Sequence, residues 1–99
     1  MARPRPDPRQ AAEIIAIKAL GFVAADPERI GGFLAETGIG PETLRASARD
    51  PHFLVGVLDF VLRTEALANT FAQEVELRPD QIRTAREILG GPAWERDLP

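Results

Sequence analysis

Five of the chain's nine prolines stand where a helix begins: Asp7-Pro8, Asp26-Pro27, Gly40-Pro41, Asp50-Pro51 and Arg78-Pro79 each precede an apolar run at helical spacing. Proline suits the first position of a helix, where its missing N–H would have had no partner. An Asp just before it accepts hydrogen bonds from the free N–H groups of that turn. These marks cut the chain into short helices, and between them no stretch alternates apolar and polar residues as a strand would.

The marks predict an all-α, compact orthogonal bundle of about six short helices. At 99 residues there is room for one domain, with residues 1–6 a mobile basic arm, 7–91 the helical domain and 92–99 a tail. A chain of this size buries roughly 60 to 70% of its unfolded surface, enough for one modest core. The first helix, residues 8 to about 25, has Asp7 as its cap and Gln10 placed for the reciprocal half of a capping box. Its Ile14, Ile15, Ile17, Leu20, Phe22 and Val23 spread around most of the circumference. Such a helix is central, or it lies at an oligomer contact. Gly21 inside it suggests the close approach of a neighbouring backbone.

A second helix from Pro27 carries Ile30, Phe33 and Leu34 on one face and stops at Gly38. A third runs from Pro41 to about Arg49, anchored by Leu44 and Ala48. The most apolar segment follows, with Phe53, Leu54, Val55, Val57, Leu58, Phe60, Val61 and Leu62 as a buried hub. Asp59 is the odd member of that run: it lies on a narrow exposed edge or caps a nearby helix end, or it is a polar group within a partner-binding groove. Thr64 caps a fifth helix that extends to Val75, and the sixth spans residues 79–89 before Gly90-Gly91.

Catalytic inventory is thin. His52 is the only histidine, Ser47 the only serine, and there is no cysteine. A triad or a zinc site needs more than that, so the expectation is no enzyme, no metal and no cofactor. A net charge of −3 argues against a general nucleic-acid binder, which needs clustered Lys and Arg. Arg3, Arg5 and Arg9 before an apolar stretch imitate a secretory signal, but Glu13 and Lys18 interrupt it. No run reaches the roughly 18 apolar residues of a membrane span. The expectation is a cytoplasmic protein.

Two segments imitate DNA-binding motifs. Residues 34–44 resemble a helix-hairpin-helix, with Gly38-Ile39-Gly40 as the turn. Glu42 stands where that motif offers Lys or Arg, and Glu28, Glu36, Glu42 and Asp50 outnumber Arg29, Arg45 and Arg49. Residues 65–89 resemble a helix-turn-helix in which Gln81, Arg83, Thr84 and Arg86 would line the recognition helix. The departure there is Glu76, where the turn commonly wants Gly for a positive φ.

Trp94, in Trp94-Glu95-Arg96-Asp97-Leu98-Pro99, is a large apolar ring outside every predicted helix. It either docks back on the bundle as a clasp or, with Leu98, touches another chain.

The segments Ala19-Leu20-Gly21-Phe22-Val23-Ala24-Ala25-Asp26, Phe33-Leu34, Thr37-Gly38-Ile39-Gly40-Pro41, Val57-Leu58-Asp59-Phe60 and Trp94-Glu95-Arg96-Asp97 together resemble a family of small, mainly alphaproteobacterial helical proteins, domain of unknown function 3572. The resemblance implies a compact standalone bacterial domain and carries over no catalytic or binding residues. The leading functional expectation is a non-enzymatic protein-interaction or regulatory module, acting on an unknown protein partner or as a homodimer, with Trp94, Leu98 and Asp59 as partner-binding candidates. The alternative is a DNA-binding regulator using Gln81, Arg83, Thr84 and Arg86, with the Arg3/Arg5 arm reaching phosphates.

Overall fold

Each expected helix start is met by a specific backbone arrangement. The computed structural model describes residues 7–91, which form α1 (Pro8–Ala24), α2 (Pro27–Thr37), α3 (Pro41–Ser47), α4 (Pro51–Val61), α5 (Glu65–Glu74) and α6 (Pro79–Gly90), with no strand among the described residues. Asp7, Asp26 and Asp50 accept from the N–H groups of Arg9, Glu28 and His52 at 3.1, 3.0 and 3.0 Å. Thr64 Oγ1 accepts from Leu67 N–H at 3.1 Å. These bonds satisfy donors that a helix leaves free in its first turn. Gln10 does not return a bond to Asp7 among the described residues; the reciprocal carboxamide operates at α6, where Arg78 N–H donates to Gln81 Oε1 at 2.8 Å.

The interior is built on α1, α4 and α6, which pack against one another, with α2 laid on α1 and α5 against α4 and α6. The side of α1 that faces this centre is not its isoleucine-rich side. Ala12, Ala16, Ala19 and Val23, spaced by four, three and four residues, are buried together with Phe22. Small side chains let the axes of α4 and α6 come close, and the volume is filled from the other helices by Leu58, Val57, Val61, Phe71 and Ile82, all fully buried. Ile14 and Ile17 instead remain 48% and 53% exposed. The expectation that α1 is central holds, through Ala12, Ala16, Ala19, Phe22 and Val23; of its large residues Ile14 and Ile17 face outward instead.

Phe33 of α2 sits edge-on to Phe53 and Phe60 of α4, with centroids 5.7 and 5.5 Å away, a geometry favoured by the ring quadrupoles. Phe22 packs on Phe71 at 5.2 Å. Arg29 covers Phe22 at 3.8 Å and donates to its carbonyl at 2.9 Å, closing the α1–α2 corner over the core.

The close approach expected at Gly21 is found at another glycine. Gly21 is exposed, and a side-chain carbon there would meet nothing within 4 Å, so no neighbouring backbone approaches it. The close approach is at Gly90, where that carbon would lie 3.1 Å from Val55 Cγ2. The third helix ends at Ser47, two residues earlier than expected, with Ala48 as its cap.

Candidate functional site

Turning α1 by 3.6 residues per turn places Gln10, Ile14, Ile17, Gly21 and Ala24 on one line along its solvent side. All five are exposed. Their spacing of four, three, four and three residues is that of a heptad seam, and no charged residue interrupts it. Glu13 and Lys18 flank the line on opposite sides. Beside it, Ile17, Leu20, Gly21 and Ala24 form with Leu44 and Ala48 an open groove of about 480 Å³. The sequence names these isoleucines but not the line they make; the repeat from Gln10 to Ala24 is the available signal, masked by the alanine stripe that interleaves with it on the opposite face of the same helix.

Asp59 lies on the exposed edge of α4, where one of its expected placements put it. It receives the Arg86 guanidinium of α6, with Nε 2.7 Å from Oδ1. It also borders two grooves. One is formed with Phe33, Thr37, Gly56 and Phe60, the other with His52, Val55, Gly56, Leu89 and Gly90. Trp94, Leu98, Arg3 and Arg5 lie outside the described residues.

The four residues of the DNA-binding expectation are divided. Gln81 is engaged at the start of α6. Arg86 is folded inward with its side chain 12% exposed, bonded to Asp59 and, through Nη1, to the Gly91 carbonyl at 3.3 Å. Arg83 and Thr84 are exposed, and Thr84 Oγ1 donates to the Asp80 carbonyl at 2.9 Å. Glu76 adopts φ 57°, so the turn between α5 and α6 takes the left-handed geometry without the expected glycine. Leu77 N–H closes this turn on the Ala72 carbonyl at 2.8 Å.

At the helix-hairpin-helix look-alike, Gly38 takes φ 74° at the end of α2. The Glu42 carboxylate folds back against Gly40, where an added side-chain carbon would lie 2.8 Å from it. A carboxylate thus lies at the turn to which a phosphate would have to come. His52 is exposed in the first turn of α4 and Ser47 closes α3. Among the described residues, no group of three or more His, Cys, Asp or Glu is placed to hold a metal ion. No described helix is long and apolar enough to cross a membrane.

The chain belongs to the family described as Protein of unknown function (DUF3572), whose model matches residues 9–92. No curated protein and no solved structure matches it.

Proposed function

We propose that this member of an uncharacterised family is a non-enzymatic, self-associating helical module that pairs two copies through the outer line of α1. The observation that carries the reading is the exposed seam of Ile14, Ile17, Gly21 and Ala24 on a helix whose opposite face is already fully used by the core. Its flanks are self-complementary. In a parallel pair of helices, a residue just before one seam position lies beside the residue five further on in its partner. Glu13 of each copy then faces Lys18 of the other. Gly21 and Ala24 keep the second half of the seam narrow, so two backbones approach closely there.

The test is sedimentation across a concentration series. Ile14→Glu with Ile17→Glu abolishes association while leaving the helical spectrum unchanged. Glu13→Lys weakens it, and Glu13→Lys with Lys18→Glu restores it. A wild-type chain that stays monomeric at high concentration overturns the reading.

The left-handed Glu76 favours a second reading, a helix-turn-helix presenting Arg83 and Thr84 to a duplex. Against it weigh Glu74, Glu76, Asp80 and Glu87, and the engagement of Gln81 and Arg86 within the fold. Binding to mixed duplex at about 50 mM salt that falls steeply as salt rises, and that Arg83→Ala removes, would raise it above the first.

A further inference from the structure

We infer that α3 is a flap: residues 39–49 open away from the bundle as one unit while α1, α2 and α4 stay folded, and a second copy of the chain clamps the flap shut.

The 7 residues of α3 cannot hold a helix by themselves, since isolated helices shorter than about 12 residues are marginal in water. The helix therefore depends on what it packs against, and that packing is slight. Every other helix sends at least one buried side chain into the core, whereas residues 42–47 send none. Ile39 and Leu44 rest on the core only partly buried, and α3 has no share in the extensive helix–helix packings. Among the described residues, the hydrogen bonds of this segment reach no farther along the chain than Thr37 and Asp50, and no ion pair ties Glu42, Arg45 or Arg49 to another helix. Gly40 gives α3 no side-chain cap, where α1, α2, α4 and α5 each have one.

The neighbouring helices are closed without it. Gly38 N–H donates to the Leu34 carbonyl at 2.8 Å, and its φ of 74° turns the chain out of α2. Asp50 caps α4 by accepting from His52 N–H at 3.0 Å. Neither bond involves residues 39–49, so the flap leaves with both flanking helix ends intact. A segment with few buried apolar contacts and only local hydrogen bonds is the kind that opens below the cost of global unfolding.

Closed, α3 is the outer wall of the groove beside the α1 seam. Leu44, Arg45 and Ala48 stand across about 480 Å³ from Ile17, Leu20, Gly21 and Ala24. Ile17, Gly21 and Ala24 belong to the seam itself. On the reading that two copies pair along that seam, on which this step rests, the partner helix lies over the groove and touches both walls. A contact made only with the closed flap favours the closed form, so pairing and closure strengthen each other.

Native-state hydrogen exchange at low protein concentration tests the flap in the single copy. Protection at Arg45, Ala46 and Ser47 is expected to lie at least about a hundredfold below that at Val57, Leu58 and Val61, and to be alike among the three. Leu44→Ala, which removes the largest apolar contact of α3, lowers it several-fold further. Gly40→Ser, which supplies the missing cap, raises it about twofold. Both variants leave protection in α4 unchanged. Protection in α3 equal to that in α4, or variants that move both helices together, overturns the flap. At concentrations where the chain sediments as a pair, protection in α3 rises with the paired fraction, and Ile14→Glu with Ile17→Glu cancels the rise. A chain that pairs without this rise overturns the clamp. One that stays single at every concentration overturns the pairing reading and the clamp with it, while the low-concentration comparison still decides the flap.

Discussion

Arg86 and Asp59, 27 residues apart, meet with Nε 2.7 Å from Oδ1, and the two partners are unequally placed: the Arg86 side chain is 12% exposed and that of Asp59 48%. The asymmetry decides which deletion costs more. Removing the carboxylate leaves a nearly buried guanidinium short of a partner, whereas removing the guanidinium leaves a carboxylate that water reaches. Asp59→Ala is expected to lower stability by about 1–2 kcal/mol, and Arg86→Met, which keeps the apolar stem, by about 1 kcal/mol or less. Urea denaturation of both variants measures the order, and a larger loss for Arg86→Met contradicts this account.

Gly21 and Gly90 give an opposed pair. Gly21→Ala adds a methyl in open space on an exposed helical position and is expected to stabilise by about 0.5–1 kcal/mol. Gly90→Ala drives a methyl to 3.1 Å from Val55 Cγ2, and the gain in helix propensity is outweighed by about 1–2 kcal/mol of overpacking. Thermal unfolding at low protein concentration, where association does not contribute, distinguishes the signs.

At the turn between α5 and α6, Glu76 holds φ 57° with a side chain that disfavours it. Glu76→Gly removes that cost and is expected to raise stability by about 0.5–1 kcal/mol, while Glu76→Val, β-branched in the same conformation, lowers it by more than 1 kcal/mol. A neutral Glu76→Gly variant would mean that the side chain makes a compensating interaction.

Helix boundaries were legible because their signals are local. The three Asp-Pro pairs and Thr64 cap their helices across two or three residues of chain. The α4 hub was legible because Phe53, Val57, Leu58 and Val61 are too apolar to be anything but buried. What could not be read was the choice between two faces of α1. Both faces are apolar, and the one that packs is decided by how closely α4 and α6 approach, which favours Ala16 over Ile17 on steric grounds alone. The seat of Asp59 escapes sequence for the same reason: Arg86 is 27 residues away, and nothing local pairs them. The conformation of Glu76 was hidden because turn statistics favour Gly there, while the fold holds the turn closed through the Leu77 to Ala72 bond.

That division of α1 yields the sharpest contrast in the molecule. Ala16 is fully buried where α1 meets the other central helices, and Ile14, two residues away on the opposite side of the helix, is half exposed. Ala16→Leu inserts a branched side chain where the packing leaves no space and is expected to cost about 3 kcal/mol or more, at the upper end of overpacking penalties. Ile14→Glu places a carboxylate in water and is expected to change the stability of the isolated chain by no more than about 0.5 kcal/mol, although it exchanges an apolar residue for a charged one. Its effect falls on association, where two carboxylates would be brought together at the seam centre. Urea unfolding at low concentration together with sedimentation at high concentration checks both halves. An Ile14→Glu chain that is destabilised as a monomer would place Ile14 in the core, and with it would go the free outer face on which self-pairing depends.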